Sequence, residues 1–123
     1  MAGNIKGITI EFDGNTTKLS KALSDIKTKS KGVDSALRDI NKALKFNPGN
    51  TELLAQKQTL LKEKIQATKD RLEAFKAAQK SMDSEGVDKT SKEYMEVRRN
   101  IIQCESQVKT FNAELKKTDA AAS

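Results

Sequence analysis

The sequence predicts an all-α fold, in which a short N-terminal β-strand precedes an elongated antiparallel helical hairpin or three-helix, coiled-coil-like bundle. Apolar residues recur at alternating spacings of four and three over three long stretches, which is the pattern of helices packed along one seam. A Pro-Gly pair, which contains the chain's only proline, separates the first two stretches. The composition is 36% hydrophobic and 33% charged without tryptophan, which suits narrow buried seams better than a thick core.

Residues 1–15 are predicted to form an N-terminal strand or arm. Ile8, Ile10 and Phe12 alternate with polar residues, which is the period of a half-buried strand. A lone strand is not stable in water, and no second strand pattern is evident in the sequence. We therefore expect this strand to pair with a second copy or with another protein. Two alternatives stay open: the segment is disordered until it meets a partner, or it is an extended arm whose apolar residues lie against the helices.

The first helix is predicted over residues 16–46. Its seam is Leu19, Leu23, Ile26, Ser30, Val33, Leu37, Ile40 and Leu44. Ser30 interrupts the apolar seam and Gly32 lies beside it, and a glycine costs about 1 kcal/mol in a helix interior. We therefore expect a kink or break between Lys29 and Gly32.

A tight turn over Asn47, Pro48, Gly49 and Asn50 is predicted to end the first helix. Proline fixes its own φ, and glycine can adopt a positive φ, so this pair suits the two central positions of a turn. The residue before a proline is displaced from the helical region, which excludes Asn47 from the helix. Asn50 or Thr51 can then cap the second helix.

The second helix is predicted over residues 51–82. Its seam is Leu54, Gln58, Leu61, Ile65, Thr68, Leu72, Phe75, Gln79 and Met82. Additional apolar residues at Leu53, Leu60, Ala67, Ala74 and Ala78 widen the stripe, so that it can contact two neighbouring helices. The polar seam residues either fix the register, admit water, or lie at the edge of the stripe.

The third helix is predicted over residues 91–118, after a polar loop at 83–90 that contains Gly86. The run from Thr90 to Glu93 fits a capping box. Its seam is Tyr94, Val97, Ile101, Cys104, Val108, Phe111 and Leu115. The helical part thus covers residues 16–118, and residues 119–123 are expected to be the tail of a piece cut from a longer chain.

The residue inventory argues against an enzyme, and no catalytic, metal or cofactor site is predicted. The chain has no histidine and a single cysteine, and its glycines are scattered instead of forming a phosphate loop. No apolar run is long enough to cross a membrane. The net charge of +6 is spread along the chain with five aromatic residues, which favours a solvated helical surface over a nucleic-acid site.

Two segments carry a family resemblance. The first runs from Lys6-Gly7-Ile8 through Phe12-Asp13-Gly14-Asn15 to Leu19, and the second contains Leu44-Lys45-Phe46-Asn47-Pro48-Gly49-Asn50 and continues to Leu61. Together they resemble the N-terminal region of tail tape measure proteins from long-tailed phages and prophages of Gram-positive bacteria. The resemblance weakens after Met82, where helical heptads continue.

The resemblance implies a structural segment that acts in tail assembly and tail-length determination, without catalytic residues or a small-molecule substrate. Proteins of this family are long and helical and lie in several copies in the tail lumen, where tube subunits assemble around them in the bacterial host cytoplasm. This chain would then be the leading piece of a much longer protein. Its implied partners are further copies of itself and tail proteins such as the tube subunits.

The predicted interface consists of apolar strand and seam residues. They are Ile8, Ile10, Phe12, Leu19, Leu23, Ile26, Val33, Leu37, Ile40, Leu44, Leu54, Leu61, Ile65, Leu72, Phe75, Ile101, Val108 and Phe111. Two other functions stay open. A coiled-coil adaptor or chaperone-like module would show exposed apolar seams without self-association. A basic helical nucleic-acid-binding module would show a steep salt dependence of binding.

Overall fold

The computed structural model describes residues 3–5, 8–10 and 16–122, with side chains from Lys21 onward. Three long helices make up most of the described chain: α1 (Thr16–Phe46), α2 (Thr51–Ser84) and α3 (Lys92–Ala122). The prediction of an all-α fold is therefore confirmed. Two three-residue strands precede the helices: β1 (Gly3–Ile5) and β2 (Ile8–Ile10).

The two strands pair antiparallel within the chain, with Gly3 opposite Ile10 and Ile5 opposite Ile8. The sequence had suggested one strand without a partner in its own chain, because the residues of β1 do not alternate in polarity. Phe12 lies outside the described residues. A two-stranded hairpin is marginally stable by itself, and pairing of this segment with another chain stays a prediction.

Helix α1 runs without interruption through Gly32, so the predicted break between Lys29 and Gly32 is not found. The physical reason lies on α2. The Lys64 ammonium donates a hydrogen bond to Ser30 Oγ at 2.8 Å and forms an ion pair with Asp34 Oδ1 at 2.7 Å. The Lys64 side chain thus contacts α1 on both sides of Gly32, and these contacts stabilise the helix there.

The turn between α1 and α2 forms where the Pro-Gly pair places it. The Asn50 N–H donates to the Asn47 carbonyl at 3.1 Å, and Pro48 and Gly49 occupy the two positions between them. Asn50 then caps α2, because its side chain accepts a hydrogen bond from the Leu53 N–H at 3.0 Å. Among the described glycines, Gly86 alone has a positive φ, so this turn does not use the left-handed region at Gly49.

Helix α2 ends at Ser84, beyond the predicted residue 82, in a Schellman motif centred on Gly86. The Val87 N–H donates to the Met82 carbonyl at 2.9 Å, and the Gly86 N–H donates to the Asp83 carbonyl at 3.2 Å. These bonds satisfy carbonyls of the last turn, and they require the positive φ of 72° at Gly86. Val87 packs against the core, as the motif's usual apolar contact does.

The start and end of α3 differ slightly from the prediction. Ser91 Oγ accepts a hydrogen bond from the Tyr94 N–H at 3.2 Å, so Ser91 is the cap and the helix begins at Lys92. Thr90 instead donates its N–H and hydroxyl to the Asp88 carboxylate. The helix continues to Ala122, four residues beyond the predicted end at residue 118. Alanine favours helix, and the Gln58 amide donates to Asp119 at 2.7 Å.

The hydrophobic core lies at the end of the molecule where α2 and α3 are joined. Helix α2 packs against α1 on one side and α3 on the other. The core cluster consists of Leu23, Phe75, Ala78, Met82, Tyr94, Val97, Ile101 and Cys104. At the other end, near the α1–α2 turn, many apolar side chains are half-buried: Leu37, Leu44, Leu53, Leu60, Val108, Phe111 and Leu115. Buried side chains such as Ile40, Leu54 and Leu61 continue the interior toward that end.

Candidate interaction surfaces

The described residues contain no group of three histidine, cysteine or acidic side chains placed to hold a metal ion. The Cys104 side chain is 1% exposed, and burial raises the pKa of its thiol, so it is a small apolar core residue. None of the described helices is long and apolar enough to span a membrane. Three surfaces of the described residues are candidate interaction sites.

Most of the predicted interface residues lie inside the chain or at the margins of its core. Those that are buried are Leu23, Val33, Ile40, Leu54, Leu61, Ile65, Phe75 and Ile101. Those that are half-buried are Ile26, Leu37, Leu44, Leu72, Val108 and Phe111. Ile8 and Ile10 lie in β2, and the side chain of Leu19 is outside the described part. Contact of the buried residues with another copy would need the helices to open or exchange, and it stays a prediction.

Polar side chains of α2 link it to α3 at both ends, and one of them, Gln79, belongs to the α2 seam. The Gln79 amide donates to the Tyr94 hydroxyl at 3.2 Å, and that hydroxyl donates to Asp83 at 2.8 Å. At the opposite end, Lys57 Nζ forms an ion pair with Glu114 at 2.8 Å. Links at both ends mean that a slip of one turn would break hydrogen bonds at two distant points.

A groove opens between α1 and α2 on the half of the molecule near the turn. Its lining residues are Ala36, Asp39, Ile40, Glu52, Ala55, Gln56, Thr59 and Leu60, and we call this surface the acidic groove. Four of them supply an apolar floor, and the two charged members are both carboxylates. Asp39 and Glu52 take part in neither of the two side-chain ion pairs found among residues 21–122.

An exposed apolar pair lies on the outer face of α3. Met95 is 49% exposed and Ile102 is 53% exposed. Arg98 and Arg99 lie between them, and the spacings of three, four and seven place all four residues on one helix face. The Arg98 guanidinium donates a hydrogen bond to the Gln79 side-chain oxygen at 3.4 Å. Within the described residues, the Arg99 side chain forms no hydrogen bond or ion pair. We call these four residues the arginine face.

The tip of the α1–α2 turn presents a third exposed apolar side chain. Phe46 is 86% exposed. It belongs to the second of the two segments that carry the family resemblance. Phe46, Met95 and Ile102 were not predicted as interface residues, because they lie off the seams. Met95 and Ile102 follow the seam residues Tyr94 and Ile101 directly and are seven residues apart. This spacing could have predicted a second apolar line on α3.

Comparison with known proteins finds a relative that matches most of the chain. The chain is 29% identical over 118 residues to the probable tape measure protein of Lactococcus phage SK1. The match covers 93% of this chain and 11% of the phage protein, so the chain spans about a ninth of that protein's length. No family model matches the chain, and no solved structure matches it. The chain is thus similar, over nearly all of its length, to one part of a probable tape measure protein.

Proposed function

We propose that this chain is a structural segment near the N-terminal end of a phage tail tape measure protein. In this role it acts in tail assembly through helix packing and self-association, with tube subunits as further partners. It would lie in the tail lumen after assembly in the bacterial host cytoplasm. The observation that supports the proposal best is the 118-residue similarity to a probable tape measure protein, because it extends through all three helices.

The folded shape limits how this segment can contribute to tail length. If residues 16–122 formed one continuous helix, they would span about 160 Å at about 1.5 Å per residue. Because α1, α2 and α3 fold back on one another, the described helices span the length of one helix, which is about 50 Å for the 34 residues of α2. The proposed role is therefore to dock and start assembly more than to measure length.

The solvent-exposed Phe46 supports a docking role. A large apolar side chain at the tip of a turn contributes little to the stability of this chain, since 86% of its surface stays in water. It lies beside Pro48, in the run that carries the resemblance. Contact with a tail protein would bury it and give the run a function that the fold alone does not require.

The proposal is tested by locating the chain in phage particles. An antibody against the isolated chain, or its peptides in a mass spectrum, should detect it in purified tails of the phage whose gene encodes it. A gene from which codons 16–122 are deleted in frame should yield few or no tails. Tails that lack the chain's peptides would contradict the proposal, and so would normal numbers of normal tails from the deletion.

An adaptor that grips other proteins is the second candidate, and the three exposed apolar side chains Phe46, Met95 and Ile102 favour it. Self-association distinguishes the two functions. The mass of the isolated chain can be measured by light scattering after size exclusion, with a variant lacking residues 1–13 beside it. A defined oligomer supports the structural segment, and a monomer that binds unfolded or helical clients supports the adaptor.

A further inference from the structure

We propose that the arginine face of one copy docks into the acidic groove of a second copy, so that copies associate head to tail. The arginine face presents two apolar side chains with two guanidinium groups between them. The acidic groove presents an apolar floor with two carboxylates. The two surfaces are complementary in both charge and polarity, which is the arrangement that steers and orients protein association. This inference needs no role in a phage and is tested independently of one.

The two surfaces also match in length. Met95 and Ile102 are two turns apart, which is about 10.5 Å along α3. The groove extends along α2 from Glu52 to Leu60, which is about 12 Å. Both apolar side chains can therefore contact the floor at once, while the arginines reach the carboxylates at its edge. Arginine suits this position, because its planar group forms paired hydrogen bonds with a carboxylate.

The two surfaces cannot meet within one copy. Arg98 lies beside Gln79, near the end of α2 that joins α3. The groove lies between Glu52 and Leu60, near the other end of α2. Along α2, Leu60 and Gln79 are about 28 Å apart and Glu52 and Gln79 about 40 Å apart. The partner of each surface must therefore belong to another molecule.

A second copy is the occupant that the charges favour. The chain carries a net charge of +6, so a groove whose two charged lining residues are both acidic contrasts with the rest of the surface. Arg98 and Arg99 lie between the exposed apolar residues of α3, and Glu105, three residues beyond Ile102, is a carboxylate at the far end of the same face. Because the two surfaces differ, the contact is heterologous. It generates a ring if the rotation between copies closes, and an open filament if it does not.

Two charge-reversal variants test the docking. Variant X carries Arg98→Glu and Arg99→Glu, and variant Y carries Asp39→Lys and Glu52→Lys. In X both surfaces are acidic, and in Y both are basic, so each variant should associate at least about tenfold more weakly than the parent chain. In an equimolar mixture of X and Y every contact between unlike variants joins an acidic surface to a basic one. The mixture should therefore recover the mass of the parent assembly.

The matched controls reverse the same number of charges elsewhere. Lys27→Glu with Lys31→Glu is matched to X, and Asp25→Lys with Glu73→Lys is matched to Y, because all four residues are exposed and none is within one helical turn of either surface. Mass is measured by light scattering and sedimentation velocity, and helical content by circular dichroism. The controls should associate like the parent chain.

Three outcomes would overturn the docking. The parent chain could be monomeric at high concentration. X or Y could associate as strongly as the parent chain. The mixture could stay dissociated although both variants are helical, in which case the groove belongs to a different partner and the head-to-tail contact is wrong. Location of the chain in phage tails would be unaffected by any of these results.

Discussion

Lys64 is the side chain whose loss should weaken the packing of the middle of α1 against the other two helices. Its Nζ lies 2.8 Å from Ser30 Oγ and 2.7 Å from Asp34 Oδ1, both on α1. On α3, the ring centroid of Phe111 lies 5.7 Å from the same nitrogen. Its side chain is 17% exposed, so these contacts are partly shielded from water. One ammonium group thus connects all three helices.

The variant Lys64→Met removes the ammonium and keeps the length and packing of the methylenes. A hydrogen bond from a charged group contributes about 1.5–3 kcal/mol when shielded. The ion pair adds about 0–1 kcal/mol, since the Asp34 side chain is 47% exposed, and the ring contact adds about 0.5–1 kcal/mol. Desolvation of the ammonium opposes these terms. We expect a net loss of about 1–2 kcal/mol in the free energy of unfolding.

Urea denaturation followed by circular dichroism measures this loss, and hydrogen exchange locates it. Protection should fall in the middle of α1, around Gly32, and persist at the α2–α3 core. A double-mutant cycle with Asp34→Asn should show a coupling of about 0.5 kcal/mol or more, reduced at about 1 M salt. Unchanged stability, or a protection loss confined to α2 and α3, would refute the role assigned to Lys64.

Further predictions concern the two special glycines, the buried thiol and one ion pair. Gly32→Ala should stabilise the chain by about 0.5–1 kcal/mol, because the site is helical and no atom lies within 4 Å of an added Cβ. Gly86→Ala should destabilise it by about 1 kcal/mol, since φ is +72°. Urea denaturation measures both, and the opposite sign in either would contradict its assignment. Cys104 should react with a thiol reagent only as fast as the chain unfolds, and rapid labelling of the folded chain would contradict its burial. The hydrogen bond from Lys57 lowers the pKa of Glu114, so that contribution to stability is present above the ordinary carboxyl pKa and is lost as pH falls through the lowered one. Glu114→Gln should therefore lower the free energy of unfolding at pH 7 by less than about 1 kcal/mol, because the carboxylate is partly exposed. At strongly acidic pH the substitution should have no effect, and an equal loss at both pH values would contradict this.

The helices could be predicted from the sequence because their signals are local. The heptad seams, the Pro48-Gly49 turn and the Asn50 cap depend on residues within one turn of one another, and α1 covers the predicted range. The end of α2 depends instead on bonds around Gly86, and α3 continues through residues 119–122 with help from Gln58 on another helix. The periodicity of apolar residues does not predict helix ends that depend on such contacts.

The surfaces could be predicted less well, because they are products of helix packing. Asp39 and Glu52 come together only when α1 folds back on α2, and they are ordinary surface charges in the sequence. Gly32 and Ser30 were interpreted as a weak point, and the compensating Lys64 lies far along the chain. Phe75 and Ile101, which were predicted to belong to an interface, lie in the core of a single copy. Their contact with a second copy stays a prediction.

The length of the tail tests the proposed function most directly. Tails would be measured by electron microscopy after in-frame deletion of residues 16–122. The control is a deletion of equal length elsewhere in the tape measure protein to which we propose that this segment belongs. If the segment is a folded docking module, its deletion should prevent tail formation or shorten tails by no more than about 50 Å, and the control deletion should shorten them by about 160 Å. A shortening of about 160 Å for both deletions would mean that the segment acts as extended helix in the tail. That result, or tails of unchanged number and length from the first deletion, would contradict the account.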